Sequence, residues 1–278
     1  MNSTFDWATR SGDAWTRRWR EIDAALSDLA PKLHSVLLEA APGNMFRALD
    51  IGCGAGSTSD QLARDRPDAK IVGCDLSPAL VQLARDRLAG RPNIQIVLGD
   101  ATIVAGKEGP FDLLFSRHGV MFFEEPVGAF RRLRAATTPG ATLVFSCFQD
   151  WQANPWASEL ASATADRSLS PPGREAGGFA FAETSYVRQI LESAGWTNAE
   201  VRPAPFRYIA GEGREAVEQA LEFLAEIGPA SRMLCSLPDE DRAAARERMR
   251  RVIECHQVDD MVEFPAAAWL WTATAKAD

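Results

Sequence analysis

The sequence has few of the residues from which metal sites are built. It contains three histidines and five cysteines among 278 residues. No histidine lies at metal-ligand spacing from a cysteine, and the cysteines form no CxxC pair. We therefore expect no metal site, and we expect reduced, mostly buried thiols of the kind found in cytoplasmic proteins. The five cysteines are Cys53, Cys74, Cys147, Cys235 and Cys255.

Long apolar runs and an excess of positive charge are also lacking. The chain has 30 Lys and Arg against 38 Asp and Glu, a formal net charge of -8. Because this charge repels a polyanion, we expect no nucleic-acid partner. No stretch approaches the roughly 20 apolar residues of a membrane span, and residues 1–15 lack the basic segment and apolar core of a secretory signal. These absences predict a cytoplasmic protein with no membrane span.

Short apolar runs that alternate with helical patterns characterise the first half of the chain. Five runs are typical of strands, and they lie at 47–51, 70–76, 94–100, 111–117 and 141–148. Helical patterns occur at about 57–65, 78–89 and 126–136, and a turn is expected at 138–140. This alternation predicts an α/β fold with a parallel sheet and right-handed crossovers.

The flanking regions are more helical. Residues 13–40 predict two amphipathic helices interrupted by Pro31. Residues 150–180, rich in Trp, Pro and Gly, predict an ordered loop with one short helix. Beyond it we expect a helix at 183–195, a strand near 198–209, helices at about 213–227 and 238–256, and a last strand at 266–275. We interpret residues 1–278 as a single domain, with an N-terminal helical cap (1–42), a cofactor-binding core (43–149), and acceptor-side insertions with the completing strands (150–278).

A glycine-rich turn follows the first strand, in the sequence LDIGCGAG. Gly52, Gly54 and Gly56 allow positive φ and let the backbone lie against a ligand at the carboxyl edge of the sheet. Their spacing is GxGxG, whereas a dinucleotide fingerprint is GxGxxG and would have a glycine at Ser57. No GKS or GKT follows, and Asp50 would repel a phosphate. The turn therefore favours a cationic or hydroxyl-rich ligand.

Two further acids end the next two strands. Asp75 is placed to bind two ribose hydroxyls, and Asp100 is placed to accept from an exocyclic amine. Either acid could instead cap the helix that follows it, and the glycines could merely form a tight turn. The glycine turn and three strand-end carboxylates together favour a ligand site.

The segments LDIGCGAG, VGCDLS and VLGDAT resemble the class I S-adenosylmethionine-dependent methyltransferases. The resemblance covers about residues 45–150 well and the remainder of the chain loosely. Within that family the sequence is most similar to bacterial small-molecule methyltransferases of the ubiquinone and menaquinone biosynthesis type. The resemblance implies a Rossmann-like, doubly wound sheet of seven strands, mostly parallel, with the last strand antiparallel and inserted between the fifth and sixth. It also implies S-adenosyl-L-methionine as the cofactor.

The resemblance assigns residues to parts of that cofactor. Asp50 and the turn Gly52, Cys53, Gly54 and Gly56 would face the methionyl part, Asp75 the ribose, Leu76 the adenine ring, and Asp100 with Ala101 the adenine amine. Ser116 is also expected in the cofactor site, and the helix of Trp15 is expected to cover it. One departure, Ala141 where a second glycine is usual, should lie away from the cofactor.

The other departure from the family is His118, where near relatives often have an aromatic residue. An unperturbed imidazole titrates near neutral pH, so His118 is the candidate base for an acceptor that must lose a proton. Arg117 is a second candidate catalytic residue that could pair with an acceptor carboxylate. Alternatively, His118 packs or hydrogen-bonds beneath the loop, and Arg117 pairs with a nearby acid.

The acceptor itself is less well specified. Trp151, Trp156, Phe179 and Phe181 would give an aromatic wall for a planar or lipophilic small molecule, or else form the core beneath the loop. The helices at 213–256 carry apolar faces that would close the pocket or contact a second copy in a homodimer. These faces include Leu221, Leu224, Met249 and Ile253.

Three functions are consistent with the sequence. The first is S-adenosylmethionine-dependent methyl transfer to O, C or N of a small-molecule acceptor. The second, a nicotinamide-dependent oxidoreductase, is disfavoured by the glycine spacing and because neither Tyr186 nor Tyr208 has a lysine four residues on. The third is a protein that binds S-adenosylmethionine without turnover, although the intact acids favour a working site.

Overall fold

One mixed β-sheet organises the chain in the computed structural model, which describes residues 6–276. Its order is β3-β2-β1-β4-β5-β8-β6, and a short β7 pairs with β8. Strands β1 to β5 pair in parallel, whereas β8 runs antiparallel between β5 and β6. The predicted sheet is confirmed. The strands are β1 Arg47–Ile51, β2 Lys70–Asp75, β3 Ile94–Leu98, β4 Phe111–Arg117, β5 Thr137–Phe148, β6 Trp196–Glu212, β7 Gln257–Val258 and β8 Met261–Ala275.

Twelve α-helices lie within residues 6–276, and those between parallel strands form the crossovers. They are α1 Arg10–Arg17, α2 Trp19–Ala25, α3 Ala30–Ala40, α4 Ser57–Asp65, α5 Pro78–Arg87, α6 Ala101–Glu108, α7 Pro126–Ala135, α8 Pro155–Ala165, α9 Thr184–Ser193, α10 Ala216–Glu226, α11 Pro229–Ser236 and α12 Asp239–Cys255. Helix α5 begins with Pro78, whose missing N–H costs nothing in the first turn, and the Ser77 hydroxyl accepts from the Leu80 N–H.

Several expected boundaries were wrong. Residues 13–40 belong to three helices, and Pro31 lies in the first turn of α3, where it starts a helix instead of breaking one. The turn expected at 138–140 is part of β5, and β8 begins at Met261, five residues before the predicted strand. Helices α6 and α11 were missed. Each has only eight residues, too few for a clear apolar period.

A continuous core of buried side chains extends from Ile22 in α2 to Ala275 in β8. Its centre lies on β4, β5 and β8, where Phe115, Phe145 and Trp271 are fully buried, and the Phe145 and Trp271 rings stack with centroids 6.2 Å apart. The interpretation of residues 1–278 as one domain stays a prediction.

The N-terminal helices are held against the rest of the fold by ion pairs. Arg18 donates two hydrogen bonds to Glu226 on α10, at 2.6 and 3.2 Å. On the other side, Arg117 at the end of β4 donates to Asp23 on α2 at 2.7 Å. Both pairs are partly shielded from water, so they hold more firmly than fully exposed pairs would. Helices α1 and α2 are thereby fixed across the carboxyl edge of the sheet.

The apolar faces of α10 and α12 are not free for a second copy of the chain. Leu221, Leu224, Met249 and Ile253 are each at most 2% exposed and belong to the core. The expectation that they form a dimer contact was therefore wrong, because the chain covers them itself. Within residues 6–276, no helix is both long and apolar enough to cross a membrane, and no three His, Cys, Asp or Glu side chains are grouped as metal ligands.

We expect Gly56→Ala to destabilise the fold by about 1–3 kcal/mol, since both backbone and packing oppose a side chain there. Gly56 has φ of +82°, and a Cβ would lie 2.6 Å from Leu88 Cδ1. Leu88 packs in a buried cluster with Cys53, Val81 and Ala84, so it has little room to move. Urea unfolding measures the effect.

Gly90→Ala is the matched control. Gly90 lies just beyond α5, and a Cβ there meets nothing within 4 Å. The free energy of unfolding of the Gly90→Ala variant should stay within about 0.5 kcal/mol of that of wild type. Equal stability of the two variants would contradict the packing argument.

Candidate active site

The glycine turn after β1 is held in a conformation that favours glycine. Gly52, Gly54 and Gly56 have φ of +67°, +53° and +82°. The turn also lies close to the loop that follows β4, since a Cβ on Gly52 would be 3.3 Å from Gly119 Cα. Two loops from neighbouring strands therefore meet at the carboxyl edge of the sheet, where ligands bind in open α/β folds.

Ser116 joins these two loops. Its side chain is fully buried, its hydroxyl donates to the Ile51 carbonyl at 2.6 Å, and it accepts from the Gly119 N–H at 3.1 Å. A Cβ on Gly119 would come within 2.6 Å of that same carbonyl oxygen. The structure thus gives Ser116 a positioning role, and its predicted contact with the cofactor stays a prediction.

Asp75 supports the glycine turn from β2. One carboxylate oxygen accepts from the Gly54 N–H and the other from the Ser77 N–H, both at 2.9 Å. Burial raises the pKa of Asp75, and these two backbone hydrogen bonds oppose that rise. A carboxylate oxygen has lone pairs for more than one donor, so Asp75 can still accept from ligand hydroxyls.

The neighbouring strand end offers the surface expected for a planar ring. Leu76 is 48% exposed, which leaves much of its side chain open to the cavity. Asp100 caps α6, because one of its oxygens accepts from the N–H groups of Thr102 and Ile103 at 2.8 and 3.2 Å. The capping alternative therefore holds for Asp100, and its second oxygen has no hydrogen-bond partner within residues 6–276.

Asp50 lies behind the turn. It is 1% exposed, and it accepts a hydrogen bond from Ser59 in α4 at 2.7 Å. Burial raises the pKa of Asp50 to about 7, while Ser59 and the charge of Arg117 act in the opposite direction. A cation in front of the turn would favour the ionised form of this carboxylate.

A cavity of about 580 Å³ occupies this edge. Nine of the residues predicted for the site line it, namely Trp15, Gly52, Gly54, Asp75, Leu76, Asp100, Ala101, Arg117 and His118. Four others, Asp50, Cys53, Gly56 and Ser116, lie behind this lining. Cys53 supports the turn through its N–H, which donates to the Cys74 carbonyl at 2.9 Å.

A second cavity of about 500 Å³ adjoins the first and shares Trp15, His118 and Phe122 with it. Seven of its 23 lining residues carry aromatic rings, and four others, Arg10, Arg17, Glu226 and Arg232, are charged. Of the four aromatic residues predicted for an acceptor wall, Trp156 and Phe179 line this cavity. Trp151 and Phe181 do not, because both are buried in the core, as the alternative interpretation held.

His118 stands between the two cavities, and its backbone has φ of +60°, uncommon for a residue with a side chain. Its Nδ1 lies 2.9 Å from the Ser146 hydroxyl, whereas its Nε2 is buried with no hydrogen-bond partner within residues 6–276. Burial, helped by the charge of Arg117, lowers the pKa of His118 to about 3. The expected titration near neutral pH was therefore wrong, and the imidazole is neutral at physiological pH.

Arg117 has a structural partner. Its ion pair with Asp23 joins a network in which Asp23 also accepts from the Ser57 hydroxyl and lies 3.7 Å from Arg87. This is the pairing with a nearby acid that the sequence left open. Arg117 therefore helps to hold α2 over the cavity that it lines.

Some lining residues were not identified from the sequence. Trp7 lines the first cavity, with its ring 5.5 Å from that of Trp15 and 5.0 Å from that of Phe122. Tyr208 and Phe148 line the second. Phe122 belongs to the motif MFF shortly after His118, so its place in the site could have been predicted from the sequence. Tyr208 belongs to a strand far along the chain, and no nearby motif predicts its place.

Comparison with known proteins agrees with this geometry. Residues 49–145 match the family model described as a methyltransferase domain. This part of the chain is therefore similar to a methyltransferase domain. This confirms the resemblance to the class I S-adenosylmethionine-dependent methyltransferases, and it supports S-adenosylmethionine as the cofactor of that domain.

Relatives of the methyltransferase domain act on different acceptors by name. Malonyl-acyl-carrier-protein O-methyltransferase 1 of Ilyobacter polytropus is 29% identical over 103 residues, 37% of this chain and 38% of that protein. Demethylmenaquinone methyltransferase of Beutenbergia cavernae is 33% identical over 120 residues, 43% of this chain and 46% of that protein. The chain thus spans less than half the length of these curated relatives.

A solved structure extends the likeness beyond that domain. A candidate methyltransferase of Bacillus halodurans aligns with a TM-score of 0.57 over 88% of this chain and 98% of that chain. The two sequences are 17% identical, so this likeness shows the fold alone. The acceptor must be inferred from the cavities.

We expect His118→Asn to reduce the acid sensitivity of the fold. Because the pKa of His118 falls from about 6.5 to about 3 on folding, the unfolded chain binds more protons between those values. Stability is therefore lost as pH falls through this window. Asparagine tolerates positive φ and can bond Ser146, but it does not titrate.

Urea unfolding at pH 7.5 and 4.5 gives the measurement. The loss of stability between the two should be smaller in His118→Asn than in wild type. Asp50, whose raised pKa acts in the opposite direction, contributes to both proteins and leaves their difference unchanged. An identical loss would show that His118 is not a buried neutral group.

Proposed function

We propose that this protein transfers a methyl group from S-adenosyl-L-methionine to a small-molecule acceptor bound in the aromatic cavity. The observation that carries the proposal is the pair of adjoining cavities, one lined by the glycine turn and strand-end acids, the other by aromatic rings. His118 lines both cavities. A reacting group must lie at such a boundary if it is to contact a ligand in each cavity.

The lining of the first cavity fits the cofactor. Asp75 and the N–H groups of the glycine turn suit hydroxyls and a carboxylate, the half-exposed Leu76 suits the face of a purine, and Asp100 retains an unpartnered oxygen for an amine. Asp50 supplies negative charge behind the turn. Bound there, S-adenosylmethionine provides a methyl group on a positively charged sulfur.

The protein's own contribution is alignment, exclusion of water and the handling of one proton. Trp7, Trp15 and Phe122 close the site from the N-terminal side. For an acceptor that reacts through a hydroxyl, His118 Nε2 would accept a hydrogen bond from that hydroxyl and take its proton. The low pKa of His118 keeps this nitrogen unprotonated before the reaction, and it also makes the imidazole a weak base.

The surroundings of the protein follow from the same chemistry. We propose a cytoplasmic location, in which the five free cysteines stay reduced. The partner is the small-molecule acceptor, since nothing in the charge of the chain favours nucleic acid.

Calorimetric titration tests the cofactor. We expect micromolar binding of S-adenosylhomocysteine and no binding of NAD, and the reverse would establish the oxidoreductase alternative. Turnover is tested with a panel of phenols, quinols, acids and amines, with S-adenosylhomocysteine release as the readout. Binding without turnover across that panel would favour the non-catalytic alternative.

Asp75→Ala should weaken S-adenosylhomocysteine binding at least tenfold, about 1.4 kcal/mol, since it removes the charged acceptor of the ribose hydroxyls and releases the Gly54 N–H. Asp86→Ala is the control, because Asp86 is exposed on the adjacent α5 and its loss changes the net charge equally. Calorimetry should find the control unchanged. Equal affinity of both variants would overturn the ribose assignment.

A further inference from the structure

Four rings form a continuous row along the aromatic cavity. The His118 and Phe148 ring centroids are 4.1 Å apart, those of Phe148 and Trp156 are 5.0 Å apart, and those of Trp156 and Tyr208 are 4.4 Å apart. All four residues line the cavity. The row therefore has an imidazole at one end, a phenol at the other and two apolar rings between them.

Tyr208 is held rigidly at the far end of this row. It lies on β6, and its ring stacks on that of Trp156 with an angle of 2° between the planes. On its other side, the ring of Phe223 from α10 is 6.3 Å away. The phenol ring is therefore fixed by packing without any contribution from its hydroxyl.

The hydroxyl of Tyr208 has no structural task. The side chain is 4% exposed, yet its hydroxyl makes no hydrogen bond to any group within residues 6–276. The hydroxyl oxygen is not among the fully buried atoms that lack a partner, so it is open to the cavity. Burial also raises the pKa of Tyr208, so the hydroxyl keeps its proton and can donate it to a ligand.

The imidazole of His118, at the opposite end of the row from Tyr208, also has an atom without a hydrogen-bond partner among the described residues. His118 Nε2 is likewise buried without a partner within the described chain, and Nδ1 is already occupied by Ser146. These two polar residues thus stand at opposite ends of the ring row in one cavity, whose lining also includes Arg10, Arg17, Glu226 and Arg232. The apolar rings between the two ends fit a ligand that has an apolar body and one polar group at each end.

We propose that Tyr208 determines acceptor specificity, and that the acceptor is an elongated planar molecule with its reacting hydroxyl at His118 and a second oxygen that accepts a hydrogen bond from Tyr208. This inference rests on the proposed function. An acceptor without that second oxygen leaves the Tyr208 hydroxyl unpaired, and a site built to bond a group rejects the analogue that lacks it.

Two biphenyl phenols test the proposal, 4-phenylphenol and its analogue with an acetyl group on the far ring. Calorimetry with protein saturated by S-adenosylhomocysteine measures the affinity of each. We expect wild type to bind the acetyl compound about tenfold more tightly, and Tyr208→Phe to bind both compounds equally. A wild type that binds neither compound, or that shows no preference, would overturn the proposal.

Tyr186→Phe is the matched control. Tyr186, the other tyrosine of the chain, lies on α9, lines neither cavity and packs against Arg174. This variant should keep the full preference for the acetyl compound. If both tyrosine variants lost it, the effect would not be specific to the cavity and the proposal would fail.

Two further measurements separate specificity from structure and from the proposed function. Tyr208→Phe should unfold at the same urea concentration as wild type or a higher one, because it removes only an unpaired hydroxyl. A marked destabilisation would show a structural role and overturn the proposal. The affinity for S-adenosylhomocysteine should be the same in Tyr208→Phe as in wild type. If wild type did not bind S-adenosylhomocysteine, the proposed function would be refuted independently of the role of Tyr208.

Discussion

The hydroxyl of Ser116 fixes the spacing of the two loops on which the site depends. By donating to Ile51 and accepting from Gly119, it brings the turn after β1 against the loop after β4. At that distance there is no room for a Cβ on Gly119, and little on Gly52. The position of His118, one residue before Gly119, follows from the same bond. One buried hydrogen-bonded group therefore sets both the floor of the first cavity and the wall it shares with the second.

The sequence predicted what depends on local pattern. Alternating strands and helices, the spacing of Gly52, Gly54 and Gly56, and acids at the ends of successive strands are all readable from neighbours in the chain. The order of the strands in the sheet was predicted from the resemblance to a family and not from local pattern. The prediction failed for α6, because that helix is too short to show a clear apolar period. It also failed for Pro31, because a proline can either begin a helix or break one.

The chemistry of individual side chains could not be predicted in this way. His118 owes its low pKa to burial against Ser146 and Phe148 of β5 and to the charge of Arg117. Arg117 in turn owes its pairing to a helix 94 positions away. Tyr208 on β6 stacks on Trp156 of α8, a residue from a distant part of the chain. Such properties arise from contacts between distant segments, whereas motifs report the backbone of one segment.

The residues that line both cavities link the binding of a ligand in one cavity to the binding of a ligand in the other. Trp15, Phe122 and His118 each present a surface to both sides, so a ligand that orders these rings on one side alters the free energy of filling the other. Thermodynamic linkage requires this influence to be reciprocal: cofactor and acceptor must change each other's affinity by the same factor. Any coupling between the two binding events passes through the three residues that line both cavities.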